Sequence, residues 1–574
     1  MAVVRVSPVP SGVTFLCVPL FVEDPIAAAA DAVEARHRGA DLVELRIDPF
    51  YTGVDDDLQI EPIVKLVTEC PLPCIVTCRP VLEGGQYDGP DDARISLMER
   101  LCAAAKPGEH PPRYIDIELA TYTRSENIKQ KVNLCVEHEG QLRSVSTGLI
   151  LSAHDFQSRP ADLFRQISAM AAEPICRISK VAYRARSLRD NLELLDVLSE
   201  SHELGRPMIA LGMGQFGMMS RVLAGKFDGF LTFASLRRNA ATAPGQPTLD
   251  ELLGMYRFRS INRETKLYGV IGWPVEHSIS PQVHNAAFEA RAHNGVYLHM
   301  PVAPGYEPFK ATVLAMAEHA MLDFAGCSVT IPHKESLVQL AQECIELGDL
   351  RWSLDDLSRA CGSANTLAIT RDNRGRIEKI EVKNTDGPAA AGALRDALGT
   401  LVGNTVLVVG AGGTARALAA AVVLEGGRAM VVNRTAERAE NLCAQLRDSL
   451  RCDVEHLRAV RHEELEALAP TLAAVFNCTS AGMAGGGSEN DLPLSGEVLS
   501  VLNTHCVVAE SVYRPLHTPL LTAAIARGLQ VVTGMQLFVG QAAEQSQLWT
   551  GLPAPRALLL QVAREALALD ADAT

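Results

Sequence analysis

The sequence is poor in aromatic residues, which make up 5% of its 574 positions, and it holds only 3 Trp. It also lacks any uninterrupted apolar run of the ~18 residues that a membrane-spanning helix needs, so no membrane span is expected. Positive charge is in deficit: Lys and Arg total 53 against 68 Asp and Glu, a formal net charge of -15. That balance disfavours nucleic acid and anionic membranes as partners, because both demand a cationic face. A small anionic substrate remains open, since a few converging Arg or Lys residues make one pocket locally positive. The 14 cysteines are too sparse to suggest a disulfide framework. Cys70, Cys74 and Cys78 lie closest together, but Cys74 to Cys78 reads as a strand in which four residues span roughly 13 Å. With Zn–S bonds near ~2.3 Å, two such thiolates cannot share one zinc, and no metal is expected. The opening residues, with Arg5 and an apolar run from Val13 to Phe21 broken by Pro19, show neither a cleavage site nor a Ser-rich transit segment. The sequence as it stands reads as cytoplasmic, with the plastid stroma as the compartment if a transit peptide precedes it.

What is present is length and β/α alternation. A chain this long exceeds one ordinary core, and 47% hydrophobic with 21% charged residues is a globular composition. Eight short apolar runs are expected as strands: Thr14–Pro19, Leu42–Ile47, Cys74–Arg79, Tyr114–Glu118, Gly148–Ser152, Cys176–Val181, Met208–Gly212 and Leu231–Phe233. Most are continuous rather than alternating, which suits parallel strands covered on both faces. Eight β/α units in about 240 residues is the size of a (β/α)8 barrel, whose site lies at the carboxyl ends of its strands. A two-domain open sheet alternates similarly, so the barrel rests on count and spacing. Polar residues fall at those ends: Glu44, Arg46, Arg79, His154, Lys180 and Arg221. The Ala-Thr-Ala-Pro-Gly-Gln-Pro stretch after residue 240 and the charged segment to Lys266 mark a junction near 256–265. A second β/α series follows from Leu267.

Lys180 closes the run Ile175-Cys-Arg-Ile-Ser-Lys180. At a barrel mouth, in a partly apolar setting beside other cations, such an amine is expected to lose its proton easily and attack a carbonyl. The competing reading is a lysine that simply reaches water. His154 ends the preceding strand, and adjacent strands ~4.8 Å apart bring imidazole and amine over one substrate. An imidazole takes a carbon-bound proton and returns one to a leaving hydroxyl. Val43-Glu-Leu-Arg-Ile-Asp48, Thr77-Cys-Arg79 with Glu83, Leu151-Ser-Ala-His154, Ser179-Lys180, Gly212 through Ser220-Arg221 and Ala243-Pro-Gly-Gln246 together resemble type I 3-dehydroquinate dehydratase. The resemblance spans the first 255 residues. It implies Lys180 as the Schiff-base lysine, His154 as the proton carrier, and Arg221 as the holder of the substrate carboxylate. It also implies substrate contacts from Glu44, Arg46, Arg79, Thr242 and Gln246, with Glu83 or Glu118 orienting His154. Thr242 stands where the family usually has Ser.

In the second half, Thr405–Val409 reads as a strand leading into Gly410-Ala411-Gly412-Gly413-Thr414-Ala415 and an Ala-rich helix. In that context the glycines allow a tight turn and close approach of pyrophosphate to a helix N-terminus. The acidic residue that an NAD ribose needs about twenty residues on is missing. Asn433-Arg434-Thr435 and Arg438 stand there instead, which favours the 2′-phosphate of NADP. A purely structural β-turn-α is the competing reading. Gly272 through Pro281, Ser328 through Lys334, Gly362 through Thr366, Asn384-Thr-Asp-Gly387, Val512-Tyr-Arg-Pro515 and Gly534 through Gln545 resemble shikimate dehydrogenase over residues 267–560. That resemblance implies Ser278 and Ser280 at the substrate carboxylate and Lys334 with Asp386 as the catalytic dyad. Thr330, Asn365, Tyr513, Gln541 and Gln545 would line the pocket, and Gly534 would border the cofactor. Leu537 and Ser546 depart from the usual Met and aromatic residue.

The expected whole is an α/β protein: a barrel over 1–256, an α/β substrate domain over 265–395 rejoined by a C-terminal helix at 540–570, and a Rossmann domain over 396–539. It is expected to be a monomer acting on 3-dehydroquinate, 3-dehydroshikimate and shikimate. Two alternatives stay open, a quinate-acting second half using NAD or NADP, and a barrel that is only a scaffold.

Overall fold

The computed structural model describes residues 13–52, 59–104, 110–137, 146–238, 245–485 and 487–572. The chain forms two compact units, Met1–Thr265 and Lys266–Thr574.

The first unit holds eight parallel strands: β1 (Phe15–Phe21), β2 (Leu42–Arg46), β3 (Cys74–Thr77), β4 (Tyr114–Glu118), β5 (Gly148–Asp155), β6 (Cys176–Arg184), β7 (Met208–Met213) and β8 (Leu231–Phe233). They pair in the order β7-β6-β5-β4-β3-β2-β1-β8. The two ends are joined by the Phe230 N–H, which donates to the Met208 carbonyl at 2.8 Å, so the sheet is a nearly closed barrel. Alternation along each strand sends one set of side chains inward. Cys17, Leu42, Ile75, Tyr114, Ile150, Ile178, Ile209 and Leu231 form a buried apolar cluster. Two or four residues further on, the same face carries Glu44, Arg46, Thr77, Asp116, Glu118, Ser152, His154 and Lys180. The lumen is therefore apolar toward the strands' amino ends and polar toward their carboxyl ends. Four strands outrun the sequence reading: β1 continues to Phe21, β5 to Asp155, β6 to Arg184 and β7 to Met213. Lys180 thus sits in the middle of its strand rather than at its end.

The second unit contains two sheets. The first runs β10-β9-β11-β13-β14-β12, built from β9 (Lys266–Gly272), β10 (Gly295–Pro301), β11 (Phe324–Val329), β12 (Trp352–Leu354), β13 (Thr366–Arg371) and β14 (Ile377–Lys383). β13 is antiparallel to both neighbours, so this sheet is mixed. The second is wholly parallel, with β15 (Thr405–Val409), β16 (Arg428–Val432), β17 (Leu457–Ala459), β18 (Ala474–Asn477), β19 (Val507–Glu510) and β20 (Val531–Val532). Its order, β17-β16-β15-β18-β19-β20, reverses direction between β15 and β18, the switch point at which doubly wound sheets bind nucleotides. The expected C-terminal helix is two helices, Gly534–Thr550 and Arg556–Asp572. Gly551, in the left-handed region at φ 70°, ends the first, and the prolines at 553 and 555 keep it from continuing. Met535, Phe538, Ala542 and Leu559 pack on Val283 and Ala287 of helix Ser280–Ala290 and on Ile279 just before it, which ties the chain's end to the mixed-sheet region.

Candidate active sites

At the carboxyl end of the barrel, charged side chains meet in a connected network. Lys180 Nζ donates to Asp116 Oδ2 at 2.8 Å and lies 3.5 Å from Glu44 Oε1. It also sits 4.9 Å from the centre of the Phe233 ring. Asp116 Oδ1 accepts from Ser152 Oγ at 2.6 Å and faces Arg79 at 3.0 Å. Arg79 donates to Glu118 at 2.7 Å, and Glu118 pairs in turn with the fully buried Arg94 at 2.8 Å. Thr77 Oγ1 donates to Glu44 Oε1 at 2.7 Å. The sequence reading placed Lys180 beside cations; its immediate neighbours are carboxylates. Burial opposes ionisation of Asp116, but Arg79 and Lys180 outweigh it and hold that carboxyl far below the usual range.

His154 Nδ1 lies 3.1 Å from Glu83 Oε2. Of the two acids expected to orient this imidazole, the structure selects Glu83, because Glu118 is taken up by two arginines. Burial, then Arg79 and Lys180, push His154 well below its ordinary value, so the ring is neutral near pH 7. Burial, reinforced by Glu118, raises Glu83 to about 7.

The arginines divide into two kinds. Arg46 is chelated by Asp48 at 2.9 and 3.0 Å, and Arg79 is held within the network. Arg221 is 2% exposed, donates from Nε to the Gly212 carbonyl at 3.2 Å, and pairs with no carboxylate among the described residues. Burial without a counter-charge pulls it down to about 10. It is the cation here best placed to gain from an incoming anion. Gln246 is described at the barrel rim, whereas Thr242 lies outside the described residues.

In the second unit, Lys334 and Asp386 are each the first residue of a helix, Lys334–Glu346 and Asp386–Leu398. Their side chains meet at 2.5 Å. The positive end of a helix favours Asp386 and opposes the Lys334 ammonium, so the carboxylate offsets what the helix dipole costs the lysine. Asn365 Nδ2 donates to Asp386 Oδ1 at 2.8 Å and to Gln541 Oε1 at 3.0 Å. Ser278 Oγ donates to Ser280 Oγ at 3.0 Å. Thr330, following β11, and Tyr513, following β19, are half-buried, and Tyr513 packs on Phe538 at 5.2 Å between ring centres. Gln545 is buried beside Ser328 and Thr366.

The glycine loop fits a dinucleotide. Gly410 sits at φ 115°, where a side chain is strained. A Cβ on Gly413 would come within 2.8 Å of Ser363 Oγ and 3.5 Å of Lys334 Cδ, so the loop and the dyad adjoin. Ala411 and Gly412 form the turn, Thr414 lies in the first turn of helix Gly413–Leu424, and Ala415 is fully buried. Asn433 Nδ2 donates to the Thr435 carbonyl at 2.9 Å, shaping the turn after β16. Arg434 and Arg438 are exposed there and pair with no carboxylate among the described residues. Gly534 opens its helix against Val512.

Comparison with known proteins gives these geometries a context. The type I 3-dehydroquinase family matches residues 16–263, the shikimate dehydrogenase substrate binding domain matches 270–367, and the shikimate / quinate 5-dehydrogenase family matches 393–484. The bifunctional 3-dehydroquinate dehydratase/shikimate dehydrogenase of Arabidopsis thaliana is 34% identical over 96% of this chain and 84% of its own. The chain belongs to that bifunctional family. A shikimate dehydrogenase (NADP(+)) of Anaeromyxobacter is 38% identical over 52% of this chain and 95% of its own. A pentafunctional AROM polypeptide of Malassezia globosa is 30% identical over 90% of this chain but only 30% of its own length.

In the dehydratase half, sequence reasoning missed Asp116, Ser152 and Thr77, which complete the network around Lys180. A signal existed: Tyr114-Ile-Asp-Ile-Glu118 puts two acids at period 2 in an otherwise apolar strand, on the face that Lys180 shares. In the dehydrogenase half it missed Glu510, fully buried at the end of β19. Glu510 accepts from Asn477 Nδ2 at 3.0 Å, Val512 N–H at 3.0 Å and Thr518 Oγ1 at 3.0 Å, and so ties the loops after β18 and β19 together.

Proposed function

We propose that Lys180 and His154 carry out the dehydration of 3-dehydroquinate, and that Lys334 and Asp386 carry the proton in the reduction of 3-dehydroshikimate with NADPH. The chain is a bifunctional lyase and oxidoreductase of the shikimate pathway, with small anionic substrates. The observation that carries the residue assignment is a pair of lysines held by carboxylates, Lys180 buried against Asp116 and Glu44 and Lys334 half-buried against Asp386. One faces a neutral imidazole in a barrel; the other adjoins a glycine loop.

In the first reaction Lys180 Nζ attacks the ketone carbon, and loss of water from the adduct leaves an iminium. Its positive charge stays on Nζ, where Asp116 Oδ2 is the counter-ion. The iminium withdraws electrons from the neighbouring carbon, and His154, held through Nδ1 by Glu83, takes the proton with its free nitrogen. The electron pair forms the ring double bond as the β-hydroxyl leaves, protonated by the same imidazole. Water then hydrolyses the imine, freeing 3-dehydroshikimate and the amine. Arg221 holds the substrate carboxylate by paired hydrogen bonds, aided by Glu44, Arg46, Arg79 and Gln246.

In the second reaction Ser278 and Ser280 donate to the substrate carboxylate, and Thr330, Asn365, Tyr513, Gln541 and Gln545 line the pocket. NADPH, when bound, supplies hydride to the ketone carbon. Lys334 donates a proton to the oxygen as charge develops there, while Asp386 holds the ammonium in line. The residues from Gly410 to Ala415 cradle the pyrophosphate, and Arg434 and Arg438, with Asn433 and Thr435, take the 2′-phosphate.

Borohydride reduction in the presence of 3-dehydroquinate, followed by peptide mass mapping, is expected to place the adduct on Lys180. An adduct elsewhere overturns the first assignment. Turnover of shikimate and of quinate with NADP and with NAD tests the second, and a preference for quinate with NAD overturns it.

A further inference from the structure

Between the paired serines and the dyad, the buried polar atoms of the dehydrogenase half lie in one line. Ser278 Oγ donates to Ser280 Oγ, and the Ser280 hydroxyl neighbours Tyr297, where it opposes the rise that burial imposes on the phenol's pKa. Tyr297 Oη donates to Ser328 Oγ at 2.7 Å, and Ser328 Oγ donates to Gln545 Oε1 at 2.8 Å. Gln545 Nε2 donates to Thr366 Oγ1 at 3.0 Å, and Thr366 Oγ1 donates to Asn365 Oδ1 at 3.0 Å. Asn365 Nδ2 then donates to Asp386. From Ser280 onward each member is buried.

The direction of this chain is fixed by the backbone. The Thr385 N–H donates to Asn365 Oδ1 at 2.8 Å, and a peptide N–H cannot accept, so the amide nitrogen must face Asp386. Gln545 Nε2 lies 3.4 Å from the Asn365 carbonyl, which likewise only accepts, so Oε1 must face Ser328. The hydroxyls of Ser278, Ser280, Tyr297, Ser328 and Thr366 can rotate; the two amides cannot. Each group accepts on one side and donates on the other, the arrangement in which successive bonds polarise one another.

Resting on the assignment of the serines and the dyad above, we propose that Tyr297 and Thr366 are positioning residues of the dehydrogenase. They couple occupation of the carboxylate site at Ser278 and Ser280 to the orientation of Asp386. A carboxylate arriving at the serines draws their hydroxyl protons toward itself and resets the rotors of Tyr297 and Ser328. Gln545, Thr366 and Asn365 pass that change to the carboxylate that holds Lys334. Neither Tyr297 nor Thr366 is assigned a contact with the reacting atoms.

The test uses the full chain and reads dehydrogenase kinetics with shikimate and NADP+, alongside thermal melting. Tyr297→Phe and Thr366→Val are each expected to lower kcat about fivefold to tenfold with KM for NADP+ unchanged. Thr366→Ser, which keeps the hydroxyl, is expected to restore kcat. The double variant should be no slower than the poorer single one, because a chain cut once transmits nothing past the cut. If Tyr297→Phe melts early, Ser328→Ala cuts the same chain one link on with little change of volume. Effects that multiply in the double variant overturn the proposal, as does Thr366→Ser proving as slow as Thr366→Val. Failure of the site assignment reads differently: Lys334→Ala would then keep full turnover.

Discussion

The barrel buries Lys180, the dehydrogenase half leaves Lys334 half-buried, and the two balance these amines by opposite means. Around Lys180 the neighbours are ions, with Asp116 and Glu44 on one side and an alternating series of Arg79, Glu118 and Arg94 behind them. Around Lys334 there is one carboxylate among the described residues, and behind it a chain of neutral amides and hydroxyls. The difference follows the chemistry assigned to each amine. A lysine that becomes an iminium must keep a counter-charge at a fixed place through several covalent states. A lysine that only passes a proton needs its partner aimed, which directional neutral hydrogen bonds do at lower desolvation cost.

The sharpest break of this comparison is a crossed pair of knock-outs. Lys180→Ala is expected to abolish dehydroquinate turnover and leave shikimate oxidation intact, and Lys334→Ala to do the reverse while NADP still binds. Assay of both activities on each variant checks it, and a scaffold-only barrel would show no loss in the first. Next in size is Asp116→Asn. It leaves Lys180 and Arg79 short of a buried charge, and removing one partner of such a pair costs about 3–5 kcal/mol. Denaturant unfolding should show the barrel weakened by that order, with the dehydrogenase unit unchanged.

The third contrast is in pH. Glu83 has its pKa raised to about 7, so its carboxylate is present above that pH and lost as pH falls through it. His154 is already held neutral across the same range. Dehydratase turnover should therefore fall on the acid side with a midpoint near 7, and Glu83→Gln should remove that limb while lowering the plateau about tenfold. The smallest effect belongs to the cofactor. Arg434→Ala is expected to raise KM for NADP by about tenfold, the worth of one hydrogen bond to a charged group, with no change for NAD.

Much of the fold was legible because its signals are local. Continuous apolar runs at regular spacing announced eight parallel strands, and Val-rich β15 leading into glycines announced the nucleotide sheet. Lys180, His154, Lys334 and Asp386 stood in recognisable strings. The ends of β5 and β6 were misjudged because barrel strands go on pairing past the point where their residues turn polar. Asp116 was passed over because an acid inside an apolar strand gains its meaning only from what the neighbouring strands aim at it.

Sequence by itself thus determined the glycine loop and the missing acid that separates NADP from NAD, and its motifs carried the resemblance to the two enzyme families, since all of these lie in residue types at short spacing. Tertiary structure alone decided which groups are paired. It gave Arg79 to Asp116 and Glu118, left Arg221 without a carboxylate among the described residues, chose Glu83 over Glu118 for His154, and brought Gln541 and Gln545 back to Asn365 and Thr366 across about 180 residues. Pairing is a matter of distance in space, and low-dielectric burial makes each choice consequential.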